Sequence, residues 1–196
     1  MVPDPEAWDP WPPRLIADRL AEVDMSWYVA GGWAIDLFRG APTRDHEDTE
    51  IAVPAERFSE VASRFPECHF YVAGGGRQVP VSPETLQAHH QTWAWERRAG
   101  VWRFDVFREP HDGGTWIYRR DQRIRRPYAD IIRRSRDGVP YLSPEVVLLF
   151  KAKAAREKDR ADFAGTLPLL STDERRWLDE ALSIVHPDHP WRDHLR

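Results

Sequence analysis

Asp48 and Glu50 are two carboxylates two residues apart in DTEIAV, a stretch that reads as the start of a strand. Side chains two apart on a strand share a face. Both acids therefore point one way, while Thr49, Ile51 and Val53 point into a core. Like charges so placed repel each other unless a cation sits between them, and hard oxygen donors at that spacing suit Mg²⁺. Upstream, the apolar run Trp27 to Ala30 has strand character. Gly31-Gly32 then breaks the chain and opens a short helix, Trp33 to Phe38, closed by Gly40. A helix start offers backbone N–H groups with no partner inside the helix, which is a place for a phosphate. The polar loop Ala41 to Glu47, carrying Arg44 and His46, joins this cradle to the acids. A phosphate cradle beside a metal-binding acid pair predicts metal-assisted phosphoryl or nucleotidyl transfer.

Other residues are weighed against that centre. Arg44 could bind triphosphate oxygens or pair with Asp36, one helix back. His46 in such a loop most often braces it by hydrogen bonding, and Trp33 has the ordinary reading of a core residue. Asp105 is the one acid in the apolar and aromatic strand WRFDVFR. The only three lysines, Lys151, Lys153 and Lys158, fall within eight residues, and elsewhere the chain uses arginine. A compact ammonium is not equivalent to a guanidinium, so Lys151 is a functional candidate, with Lys153 read as surface. From Arg119 to Arg136 there are eight arginines and two acids; the ordinary reading is a solvated, arginine-rich hairpin rather than a phosphate- or RNA-binding patch. The sequence has no P-loop, no G-x-G-x-x-G after a strand and no G-x-S-x-G elbow. Cys68 and His69 are adjacent on a predicted strand, so they face apart and form no dyad.

Gly31-Gly32, Asp36 and then Arg44-x-His46-x-Asp48-x-Glu50 resemble the signature of the small antibiotic nucleotidyltransferases of the polymerase-β-like superfamily. Within that superfamily the chain is similar to the lincosamide and aminoglycoside 2″-type enzymes. The resemblance spans roughly the whole chain, and the first third and the Asp105 and Lys151 regions carry it. Glu50 stands where many relatives have Asp; glutamate is one methylene longer and remains a workable ligand. The resemblance implies an α/β (α+β) fold: a short mixed sheet with helices on one side and a helical C-terminal part. It divides the chain into a catalytic unit at 14–142 and a helical segment at 143–196. It implies transfer of a nucleoside monophosphate from an NTP, ATP as first choice, to a hydroxyl acceptor such as an aminoglycoside or lincosamide, with Mg²⁺. Asp48, Glu50 and Asp105 would hold the metal, Asp105 serving also as general base. Gly31, Gly32, Arg44 and Lys151 would take the phosphates. Asp159 and Asp162 also resemble the family, as ion-pair partners rather than ligands. A toxin–antitoxin component that modifies or binds a protein partner is the competing reading.

The elements that must hold these residues follow from periodicity. Ile16, Leu20 and Val23 predict an amphipathic helix over Arg14 to Val23. Pro54 to Phe65 reads as a helix, and His69 to Ala73 as a strand followed by a plain hairpin turn at Gly74-Gly75-Gly76. Gln91 to Glu96 and Trp102 to Arg108 read as antiparallel partners. Thr115 to Arg120 and Val139 to Leu142 are further strands. Ser143-Pro144-Glu145 starts a helix running to about Arg156. Ser171 and Glu174 form a capping box for a last helix ending near Val185, followed by a partly ordered, histidine-containing tail.

With 196 residues and 41% hydrophobic content, the chain can bury one core with a helical appendage. The net charge of −4 argues against a general nucleic-acid binder. A single cysteine excludes a disulfide framework and fits a reducing cytoplasm. No stretch approaches the roughly 20 apolar residues of a membrane span. The acidic, proline-rich start MVPDPEAWDPWPP is not a signal peptide.

Overall fold

The computed structural model describes residues 3–196. In chain order the elements are α1 (Pro13–Arg19), β1 (Tyr28–Val29), α2 (Gly31–Arg39), β2 (Glu50–Pro54), α3 (Phe58–Ser63), β3 (Cys68–Gly74), β4 (Arg77–Pro80), α4 (Pro83–Ala88), β5 (Gln91–Glu96) and β6 (Val101–Glu109). They continue with β7 (His111–Asp112), β8 (Thr115–Ile117), β9 (Arg125–Pro127), α5 (Tyr128–Ile131), β10 (Ile132–Arg134), β11 (Pro140–Leu142), α6 (Pro144–Ala152), α7 (Glu157–Thr166) and α8 (Thr172–Val185). The fold is α+β.

Eight strands form one mixed sheet in the order β10-β11-β1-β2-β6-β5-β3-β4, and β7, β8 and β9 form a small second sheet. The centre of the large sheet positions the acids. β1 pairs antiparallel with β2, and β2 pairs parallel with β6, with Glu50 opposite Asp105. β5 closes on the other side of β6 as the expected antiparallel partner, with Trp93 opposite Asp105. Alternation sends Ile51, Val53, Phe104 and Val106 into the core, all at most 1% exposed. Each such burial is worth about 1.5–3 kcal/mol, so a slip of one residue, which would exchange the two faces, is excluded energetically.

Several elements differ from their sequence-based expectation. α1 ends at Arg19 rather than Val23, and the predicted helix 54–65 begins as a 3-10 turn, Ala55–Arg57. β8 stops at Ile117, so Arg119 and Arg120 lie in a turn. The helix from Ser143 ends at Ala152, not near Arg156, and α7 begins at Glu157. Lys151 and Lys158 therefore do not share a helix face. The sequence between them, KAAR, has neither proline nor glycine; the break is made by Asp159, whose side chain accepts from the Arg156 backbone N–H at 3.1 Å and caps α7. The arginine-rich stretch is solvated in part: Arg120, Arg123, Arg125, Arg134 and Arg136 are exposed, while Arg126 reaches Glu145 at 2.6 Å and Arg133 pairs with Glu174, acids contributed by α6 and α8. The tail is ordered too. Trp191 stacks on Phe163 with ring centroids 4.3 Å apart and planes 3° from parallel, and Leu195 is buried.

Candidate active site

The site lies on the sheet face opposite the Ile51–Val106 core, where α2 begins. α2 starts without a side-chain cap, its N-cap residue being Ala30, so its first N–H groups have no side chain to receive them. The Ala30 N–H donates to the Glu50 carbonyl at 2.8 Å, fastening the helix start to β2. Gly31 has φ +59, and a Cβ there would lie 1.5 Å from Glu50 Oε2. At Gly32 a Cβ would lie 2.2 Å from an Arg44 terminal nitrogen and 2.7 Å from the His46 ring. Gly31 is required by its positive φ, with the movable Glu50 carboxylate lying over it, and Gly32 by the close approach of the His46 ring.

The loop between α2 and β2 is held by Asp36. His46 Nε2 lies 2.6 Å from Asp36 Oδ2, the Thr43 hydroxyl donates to Oδ1 at 2.5 Å, and Trp33 stacks on the His46 ring at 4.3 Å. His46 is thus the loop brace, and the alternative pairing of Arg44 with Asp36 is not made. Arg44 instead donates to the Asp45 carbonyl and extends to 4.0 Å from Asp162.

The three predicted acids are neighbours. The strand expected from Asp48 begins at Glu50, so Asp48 lies two residues before it in the preceding loop, and Asp105 is opposite Glu50 across the parallel pair. The Asp105 N–H donates to the Thr49 carbonyl at 2.8 Å, fixing the register. Burial is the main cause that pushes the Glu50 carboxyl up to about 7, with Asp48 beside it adding to the effect. Asp105 is raised well above the carboxylate range by burial and then by Glu50, and Asp48 is raised chiefly by burial. One Asp105 oxygen accepts from the Gln91 side-chain amide; the other, Oδ1, is buried with no partner. Among the described residues no three His, Cys, Asp or Glu side chains are gathered closely enough to hold a metal ion as they stand. The donor chemistry is nonetheless that of a hard divalent cation site: Glu50 and Asp105 are opposite one another in the register, Asp105 Oδ1 has no hydrogen-bond partner, and the positive groups that act on Glu50 (Lys151, Arg119 and Arg156) make no ion pair with it.

Lys151 lies at the same cleft but is engaged: its Nζ is 2.8 Å from Asp159 Oδ1 and 2.9 Å from Asp162 Oδ2. Burial alone would raise the Asp159 carboxyl, but hydrogen bonds from Arg156 and Lys151 outweigh it and hold it at about 2. The cleft, about 430 Å³, is lined by Gly31, Glu50, Phe107 and Lys151, and also by Arg119, Arg120 and Arg156. Sequence reasoning missed these three arginines and Gln91. For the arginines a signal existed in the excess of guanidinium, but its direction did not. Gln91 carried no signal. A larger surface cleft, about 720 Å³, lies elsewhere, around α1 and the Asp137-Gly138 turn, and contains none of the three acids. No helix among the described residues is long and apolar enough to cross a membrane.

Residues 14–165 match the family model for aminoglycoside-2″-adenylyltransferase. A lincosamide resistance protein of Staphylococcus haemolyticus is 21% identical over 138 residues, 69% of this chain and 79% of that protein. The solution structure of the antibiotic-resistance factor ANT(2″)-Ia shares the fold, with TM-score 0.60 and 14% identity over 93% of this chain and 95% of that one. The lincomycin-bound lincosamide adenylyltransferase LnuA does so with TM-score 0.54 and 18% identity over 77% of this chain and 91% of that one. The chain belongs to the aminoglycoside-2″-adenylyltransferase family and is a nucleotidyltransferase.

Proposed function

We propose that this protein transfers a nucleoside monophosphate from an NTP, ATP as first choice, to a hydroxyl of a small molecule of antibiotic type, an aminoglycoside or a lincosamide. The observation that carries this reading is the pair Glu50 and Asp105, one partly open to the cleft and one buried, opposite each other and without an ion-pair partner among the described residues, beside an uncapped helix start at Gly31-Gly32.

The residues would divide the work as follows. Asp48, Glu50 and Asp105 hold Mg²⁺, which when bound neutralises charge on the triphosphate as the α-phosphorus is attacked. The backbone N–H groups of Gly31 and Gly32 receive phosphate oxygens. Glu50 leaves its position against Gly31 to make room for them. Lys151 keeps its two aspartates and supplies long-range positive charge, and Arg44, with only one side-chain hydrogen bond, can turn to a phosphate. Asp105, held by Gln91, takes the proton of the acceptor hydroxyl. The acceptor oxygen bonds to the α-phosphorus, and the bond from that phosphorus to pyrophosphate breaks. Residues 14–142 form the catalytic unit in this reading, and 143–196 a helical segment packed on it.

The test is incubation with labelled ATP, Mg²⁺ and a panel of aminoglycosides and lincosamides. Label appears on a drug with the natural chain and not with Asp48→Asn, whose circular dichroism is unchanged and whose melting temperature does not fall. Full transfer by Asp48→Asn would overturn the site assignment.

A further inference from the structure

The cleft that holds Glu50 runs inward along the sheet, and the groups at its far end have no part in the transfer chemistry. Three rows of side chains share the site face. Glu50 and Asp105 form the first, Tyr28, Ala52 and Phe107 the second, and Pro54 and Glu109 the third. Ala52 is the small member between two rings, so the second row has a notch in its middle. Val147 and Phe150 of α6 and Leu142 of β11 complete an apolar lining there. Toward the third row the lining turns polar. Glu109 is 2% exposed; Arg119 takes its Oε1, and its Oε2 has no partner. Arg119 is itself fixed over the Phe107 and Phe150 rings. Tyr28 is 1% exposed, and its hydroxyl has no partner either. Burial raises that hydroxyl well above its ordinary value, so it keeps its proton and can donate. A donor and an acceptor, both buried and both unsatisfied, thus belong to the lining of one cavity of about 430 Å³. Groups left in this state cost free energy unless something enters to receive them.

Length and charge select the occupant. Asp105 and Glu109 are four residues apart on β6, roughly 13 Å along a strand. An extended nucleoside monophosphate spans that distance, with its phosphorus at the first row and its base at the second. A nucleobase is apolar on its faces and polar at its edge, as the notch and the groups behind it require. Arg119 already neutralises Glu109, and Arg120 and Lys153 stand in the same lining. A neutral N–H suits such a carboxylate. An ammonium would meet three cations, so this end of the cleft suits the nucleotide rather than a cationic acceptor. Resting on the nucleotidyltransferase reading above, we propose that the far end of the cleft is the nucleobase subsite and that Glu109 and Tyr28 read the edge of the base. For ATP, Glu109 Oε2 accepts from the 6-amino group and the Tyr28 hydroxyl donates to N1. Both residues then act on which nucleotide is chosen and neither on the reacting atoms.

The experiment measures binding to the full chain by calorimetry, with Mg²⁺, for three probes: ATP, purine riboside 5′-triphosphate, which lacks the amino group, and inorganic tripolyphosphate, which lacks the nucleoside. ATP binds at least about tenfold tighter than tripolyphosphate, and purine riboside triphosphate binds about two- to tenfold weaker than ATP, as one lost hydrogen bond predicts. Tyr28→Phe removes a hydroxyl that makes no hydrogen bond within the described residues, so its melting temperature does not fall. It binds ATP about two- to tenfold more weakly and tripolyphosphate as the natural chain does. Equal binding of ATP and tripolyphosphate, equal binding of ATP and purine riboside triphosphate, or unchanged ATP binding by Tyr28→Phe overturns the proposal. Weaker binding of tobramycin or lincomycin by Tyr28→Phe, with ATP unaffected, also overturns it and gives this end of the cleft to the acceptor. Binding needs no transfer. A base preference without label on any drug therefore sinks the transferase reading and leaves the subsite standing, and label on a drug with no base preference does the reverse.

Discussion

Two sets of acids meet at one cleft and are treated in opposite ways: Glu50 and Asp159 line it, with Asp105 opposite Glu50 and Asp162 beside Asp159 on Lys151. Asp159 and Asp162 are closed over Lys151, and Asp159 sits at about 2. Glu50 and Asp105 have no cation against them, and Glu50 sits at about 7. Buried carboxylates cost free energy unless they are paired, so a fold that pairs one set and not its neighbour is leaving the second open for a ligand. Asp36, Glu109 and Glu145 follow the first pattern, taken by His46, Arg119 and Arg126. Perturbed carboxylates without a structural partner are the ones to assign to chemistry.

Breaking the unpaired set should abolish function and spare stability. Asp105→Asn keeps the Gln91 contact and removes the base, so transfer should fall by about 10²–10⁴-fold from lost proton transfer alone, and further with the metal site impaired. Its melting temperature should not fall. A variant that keeps activity, or that loses stability with it, would show that Asp105 is a structural acid like the others. Breaking the paired set should do the reverse. Lys151→Met leaves buried Asp162 with only Arg44 at 4.0 Å and Asp159 with Arg156 alone, at a cost of about 3 kcal/mol and roughly 10 °C in melting temperature for a chain this size. Adding Asp162→Asn should recover part of that loss. A Lys151→Met protein that melts normally but has lost ATP binding would mean that the lysine serves phosphate rather than the fold.

The same contrast explains what could be read from the chain. Gly31-Gly32, Asp48, Glu50 and Gly40 are local: their meaning depends on residues within one strand, turn or helix. Asp105 stood out because a charge in WRFDVFR breaks an apolar alternation. The rest required partners from afar. Nothing near Lys151 says that the chain turns back to bring Asp159 and Asp162 onto it, because KAAR gives no stop signal and the capping aspartate could equally be mid-helix. Arg119, Arg126 and Arg133 looked as solvated as the five exposed arginines around them because their acids, Glu109, Glu145 and Glu174, lie outside the stretch. Trp191 looked like tail because its stacking partner is Phe163, on α7.

The smallest of the three effects tests the contrast by pH. The Glu50 carboxyl goes from its ordinary 4.5 in the open chain to about 7 in the folded one. Between those values the folded state binds more protons than the unfolded state, so stability is full below pH 4.5 and is lost as pH rises through 7. Asp48 and Asp105 are raised too and push in the same direction. Glu50 is partly open to the cleft, and water there reduces its share to about 1–2 kcal/mol, a few degrees of melting temperature. Glu50→Gln should therefore melt higher than the natural chain at pH 8 and alike at pH 4, where both side chains are neutral. Mg²⁺ should raise the melting temperature of the natural chain at pH 8, less so at pH 5, and leave Glu50→Gln nearly unmoved. The paired set predicts the opposite sign: Asp159, held at about 2, gives stability above pH 4 that is lost only as pH falls toward 2. Melting curves at pH 2, 4, 5 and 8 separate the two contributions, and a natural chain that is most stable at pH 8 without Mg²⁺, with Glu50→Gln below it there, would mean that Glu50 is a paired structural acid after all.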